Sequence, residues 1–349
     1  MRTRHAIALV GLIGALIAAA VASAQEFRIE DASAPKGWDL AQIRPGTVVF
    51  SDLQASAGVD GANNLISFAD WARTNPAQKK FLSLFPGYVE PTVTKTVGLS
   101  GKPSTVTENL TMYVAQARFV LDRPPGAIDL SRYVTLPFLE KIDPAITHKA
   151  IAAADVALLT DPQGTGNESP QRKWCTGRSS LICIQSSYKL EGKIPIGVML
   201  VNKLRDTVKK VSDQIDFESE LSQVPPENID QAGLKELTAL DTPVSGVLEQ
   251  NIFYVNQIMK FGKFLAVFQG YPAAANRTIV TAFMALAVKS NVLDERRGYE
   301  KVPVLHNLVP AQVLMGQSSF NSGDSISAGL PKYARNEIRT IAGILARDK

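Results

Sequence analysis

Three strand-like stretches follow one another with almost no chain between them: Ser245 to Gln257, Lys260 to Gln269, and Arg277 to Ser290. The break at Gly270-Tyr271-Pro272-Ala273 is turn chemistry, and the boundary at Gln257 to Lys260 is tight enough for a turn or a bulge. Connections this short leave room for antiparallel neighbours only, because a parallel crossover needs a dozen residues or more. This segment therefore predicts a β meander. Ile279 to Val288 is apolar on both faces, and its alanines make a helix the rival assignment there.

The preceding stretch alternates. Val211, Ile215, Phe217 and Leu221 share one face, while Ser212, Gln214, Asp216, Glu218 and Glu220 share the other. That alternation predicts a strand with one buried and one solvated side. At the C-terminus Ala334, Ile338, Ile341, Ala342 and Leu345 make an apolar stripe, with Lys332, Arg335, Glu337 and Arg339 largely off it. An amphipathic helix beginning at Leu330-Pro331 should pack across the meander. The fold class expected is α+β.

Upstream, helical spacing is read at Asn64 to Arg73 and Pro76 to Leu84, as additional N-terminal helices. A hairpin is expected between Val93 and Leu121, where Thr and Val dominate. Asp143-Pro144 reads as the start of a helix carrying Ile146, Ala150, Ile151 and Ala154. Further helices are expected from Pro195, with Ile196, Met199, Leu200 and Leu204 as its stripe, and from Pro226 to Leu237.

Residues 1–24 read as a secretory signal. Arg2, Arg4 and His5 precede an uncharged run from Ala6 to Val21, and Ala22-Ser23-Ala24 supplies a cleavage pattern. The run falls short of the roughly 20 residues of a membrane span, and Arg277 and Lys289 bracket too short a second run. No transmembrane span is thus expected after cleavage. The address is periplasmic or extracellular, by the general secretory route. Residues 25–63 read as irregular, and 64–349 as one α+β domain with a polar loop at 161–172 as its only internal boundary.

Export changes how Cys175 and Cys183 are read. They lack CxxC spacing, and in an oxidising compartment a structural disulfide is the expectation. Loss of Arg2 and Arg4 lowers the charge from +4 to +2. No basic run with interleaved aromatics occurs, so a nucleic-acid partner is not expected.

Motifs for catalysis are scarce. His148 and His306 have no partner at ligand spacing, so no metal site is expected, and no phosphate-cradling loop or other cofactor motif is present. Gly323-Asp324-Ser325-Ile326 resembles the nucleophile block of the GDSL hydrolases in three residues and departs at the fourth. In that family the block sits near the start of the domain with His downstream, whereas no His follows Ser325 here. Asp216, Glu218 and Glu220 form an acidic row that a glycosidase could use, but a solvated strand face explains it more simply. Asn109-Leu110-Thr111 and Asn276-Arg277-Thr278 match the N-glycosylation triplet, which matters only in a eukaryotic host.

What remains is apolar excess between Phe261 and Val288. A sheet followed by a long C-terminal helix resembles the layout of the helix-grip proteins over roughly the last 140 residues; the helix expected at Pro195 departs from it. The resemblance implies an apolar ligand or lipid between sheet and helix, with Phe261, Phe264, Phe268, Phe283 and Met284 as walls. The competing expectations are an envelope structural or interaction protein and, third, a hydrolase. An enclosed apolar cavity of roughly 300 Å³ or more would favour binding, and a filled interior the structural role.

Overall fold

In a computed structural model the meander is present and longer than expected. The structure describes residues 27–31, 43–52, 93–97, 104–108, 110–158, 175, 181–189, 214–254, 259–289 and 326–348. The helices expected at 64–73, 76–84 and from Pro195, the polar loop at 161–172, the signal segment, His306 and Ser325 all lie outside these residues.

Six consecutive strands pair antiparallel in chain order: β6 (Ile146–Ala150), β7 (Leu181–Lys189), β8 (Gln214–Gln223), β9 (Val244–Tyr254), β10 (Met259–Gly270) and β11 (Thr278–Lys289). The rival helix over Ile279 to Val288 is not formed. β11 pairs on one side with β10 and on the other with β5 (Leu110–Leu121), so it is central, and a central strand covered on both sides needs no polar face.

Two corrections fall on the N-terminal part. Residues 25–63 are not irregular throughout, since β1 (Arg28–Asp31) and β2 (Thr47–Asp52) extend the sheet beyond β5. The β-branched and aromatic run Thr47-Val48-Val49-Phe50 was the available signal. β1 and β2 are parallel, so the nine-stranded sheet is mixed rather than purely antiparallel. The hairpin is real but shorter: β3 (Val93–Val97) pairs with β4 (Ser104–Glu108) as a separate two-stranded sheet, while β5 joins the main one.

The helix expected after Asp143-Pro144 is also displaced. α1 (Leu136–Ile142) precedes it, with Thr135 as N-cap, its hydroxyl accepting from the Phe138 N–H, and Pro137 in the first turn. Proline disfavours helical geometry in the residue before it, and Asp143 is extended at φ −133° and ψ 93°. Asp143-Pro144 thus stops a helix. Ile146 to Ala150 becomes edge strand β6, and Ala153–Leu158 is a short 3₁₀ turn.

The Pro226 to Leu237 expectation resolves into a 3₁₀ turn and α2 (Gln231–Thr238), whose N-cap Asp230 accepts from the Gly233 N–H. α3 (Ile326–Arg347) carries the apolar stripe into the core, with Ala334, Ile338, Ala342 and Leu345 all buried. It packs on β1, β2 and β5 at one end of the sheet, while α1 packs on β6 at the other. Arg123 closes the last turn of α3: its guanidinium donates to the carbonyls of Leu345 and Asp348 and to the Tyr133 hydroxyl. A cation there also complements the helix dipole. Leu130 packs onto Gly246 of β9, where a Cβ would collide with it.

Candidate functional site

Alternation along the paired strands fixes what the helices see. Leu221, Gln250, Phe264, Met284 and Ala115 lie side by side across β8, β9, β10, β11 and β5, on the face turned toward α1 and α3. The two helices are supported at opposite ends of the sheet, and a cavity of about 110 Å³ lies between them and its middle strands. Its walls include Phe264, Phe268 and Met284 from the sheet, Leu139 and Ile142 from α1, and Ile338, Ile341 and Leu345 from α3.

Of the wall residues expected from sequence, Phe264, Phe268 and Met284 thus share this face. Phe283 borders the cavity, yet it follows Ala282 and precedes Met284, so its side chain belongs to the opposite face with Leu265. Phe261 lies in β10 opposite Ala287, and its side chain lies outside the described residues. The cavity is smaller than the roughly 300 Å³ expected of a drug-sized site, and nearer the ~150 Å³ apolar cavity that accepts benzene in a well-known engineered protein.

One end of the cavity is polar. Glu337 of α3, Asp143 after α1 and His148 of β6 all border it. Glu337 was expected off the stripe of its helix, and here it is only 9% exposed. It stands three residues after Ala334 and four before Ile341, so it lies within the buried stripe, and that spacing was the signal. Burial, and then the nearby charge of Asp143, push its carboxyl up to about 8. The ring of His148 lies 2.8 Å from the Ser186 hydroxyl through Nδ1. Burial lowers its pKa more than Glu140 and Asp143 raise it.

The opposite face corrects the reading of β8. Asp216 is exposed, but Glu218 and Glu220 are 2% and 5% exposed, so the row is not a solvated one. Burial pushes Glu218 up to about 7. Glu220 accepts from the Asn251 amide at 3.0 Å and from the Cys175 N–H at 3.1 Å. Lys263 pairs with Glu249 at 3.3 Å, and Ser222 donates to the same carboxylate. Arg118, lowered by burial to about 10, donates to the Thr238 carbonyl at the end of α2. The expected disulfide between Cys175 and Cys183 is formed, which places the Cys175 N–H against Glu220. Among the described residues no group of His, Cys, Asp and Glu could hold a metal ion, and no helix is long and apolar enough to cross a membrane.

No protein-family model and no curated protein matches the chain. Solved structures similar in outline include the Zhui aromatase/cyclase from Streptomyces sp. R1128, at 8% identity over 67% of this chain and 92% of that one, with a TM-score of 0.33. Norcoclaurine synthase from Thalictrum flavum, in complex with dopamine and hydroxybenzaldehyde, is 8% identical over 69% and 90%, with a TM-score of 0.29. The lipid transfer and protein localization domain of human StarD13 is 8% identical over 68% and 95%, with a TM-score of 0.24. Likeness this distant says nothing about what this chain binds.

Proposed function

We propose that the chain is an exported binding protein for a small hydrophobic molecule held between the sheet and helices α1 and α3. The observation that carries this is the cavity itself, walled by Phe264, Phe268, Met284, Ile338 and Leu345. Its size matches about one aromatic ring or a short branched chain. The export signal at residues 1–24 supports an oxidising location, and so does the Cys175–Cys183 bridge. Titration of the purified chain with toluene should raise its melting temperature, while a fluorescent fatty acid should not bind. A chain indifferent to toluene, benzyl alcohol and benzylamine alike overturns the proposal.

The same small volume supports a second reading, an envelope structural or interaction protein whose apolar strands are simply core. Wild type and a cavity-filled Ala266→Leu variant would then be equally indifferent to toluene.

A further inference from the structure

The polar end of the cavity has one sign. Among the described residues the charged groups of its lining are Glu337, Asp143 and Glu249, the last paired with Lys263 on the other face of the sheet, and no Lys or Arg lines it, while burial lowers the His148 pKa. Glu337 is more than nine-tenths buried, and among the described residues it has neither a hydrogen-bond partner nor an ion-pair partner. A buried carboxyl left in this state stays protonated or meets a cation. Among the described residues no cation borders that end, whereas Lys263 pairs with Glu249 on the other face of the sheet.

We infer that the ligand is a small apolar molecule ending in a basic amine, with its ammonium group at the end bordered by Glu337 and Asp143 and its hydrocarbon against Phe264, Phe268 and Met284. This rests on the binding reading above. An ammonium donates charge-assisted hydrogen bonds to both carboxylates. A carboxylate or phosphate ligand meets two acids instead, and a pure hydrocarbon leaves Glu337 desolvated and unpaired.

Binding should therefore ionise Glu337. Asp143 from the α1–β6 connection is the charge near Glu337, and the other titratable or polar groups bordering the cavity are His148 of β6, Gln250 of β9, and Glu249, which pairs with Lys263. Since the empty protein holds the Glu337 proton up to about pH 8, that proton leaves when the ammonium arrives, and amine affinity rises by up to about tenfold per unit between pH 6 and 8.

Four probes of one size test this on the full chain by calorimetry: benzylamine, toluene, benzyl alcohol and benzoate. Benzylamine should bind at least about tenfold more tightly than the neutral pair at pH 8, release a proton, and outcompete benzoate entirely. Glu337→Gln should lose the amine preference and keep toluene binding. Should that variant fail to fold, Asp143→Asn, which keeps the acceptor used by the Ala145 N–H, should lower the preference severalfold. If toluene and benzylamine bind equally, or benzyl alcohol binds best, the amine inference falls and the binding reading stands. If no probe binds, the binding reading falls and takes the inference with it.

Discussion

The two faces of the main sheet are both buried, and they are buried in opposite ways. Toward α1 and α3 the register brings Leu221, Gln250, Phe264, Met284 and Ala115 into one row, with a cavity above it. One residue along, the other face carries Glu220, Asn251, Lys263 and Ala285 in one row and Ser222, Glu249, Leu265 and Phe283 in the next. There the interior is tied by an ion pair and hydrogen bonds. The first face tolerates empty space where its walls are apolar, and only Glu337 at its polar end carries an unmet polar demand among the described residues. The second has less such tolerance, since Glu220, Glu249 and Lys263 are each held by a particular partner.

The largest effect should come from the polar face. Lys263→Met leaves Glu249 buried without its cation, and should cost about 3–5 kcal/mol in urea or thermal unfolding. Adding Glu249→Leu should restore most of that loss, because replacing both members of a buried pair by apolar groups is close to neutral. A single variant that unfolds like wild type would show that the two faces do not differ as described. Next in size is the bridge beside this face. Cys175→Ser with Cys183→Ser should cost about 2–3 kcal/mol in the chain-entropy account of a loop closed over a separation of 8 residues. It should also loosen the hydrogen bond from Cys175 to Glu220.

A matched enlargement then sharpens the contrast. Ala285 is fully buried on the polar face, opposite Lys263, and Ala285→Leu should cost about 1–3 kcal/mol by overpacking. Ala266 faces the cavity, so Ala266→Leu should change stability by less than about 1 kcal/mol while abolishing toluene binding. Equal costs at the two sites would mean that the cavity is not available space.

The strands of this sheet were legible where local pattern and short connections agreed. Val244 to Lys289 came out as three strands, and the buried stripe of α3 matched its spacing, because neither depends on distant chain. What failed was the inference from polarity to water. Glu218, Glu220 and Glu337 were read as solvated because charge is usually exposed, yet whether a face is covered depends on tertiary packing that alternation does not encode. Asp143-Pro144 failed for a different reason: the same dipeptide can open a helix or close one. The choice was settled by Thr135 and Pro137, which start α1 ten residues before β6 begins to pair. Three of the five expected wall residues share the cavity face; parity alone assigns Phe283 elsewhere, a distinction available only once the register was known.

The last test contrasts the faces through their acids, and it has the smallest effect per step. Glu218 on the polar face titrates at about 7 and Glu337 on the cavity face at about 8, both above the ordinary 4.5. In each window the folded chain holds a proton that the unfolded chain has released, so stability falls as pH rises. The contribution is complete below pH 4.5. It is lost by about pH 7 for Glu218 and by about pH 8 for Glu337, at no more than about 1.4 kcal/mol per pH unit for each group. Glu218→Gln should roughly halve the decline in denaturation midpoints measured between pH 5 and 7, leaving the share of Glu337, and leave the decline from 7 to 8 in place. Glu337→Gln should remove that upper decline as well as its share of the lower one. Saturating benzylamine should mimic Glu337→Gln, because it pairs the acid on the cavity face and leaves Glu218 untouched. A decline that persists between pH 7 and 8 in Glu337→Gln would assign the upper titration to another group, and would remove the reason for treating the cavity acid as the one that answers to a ligand.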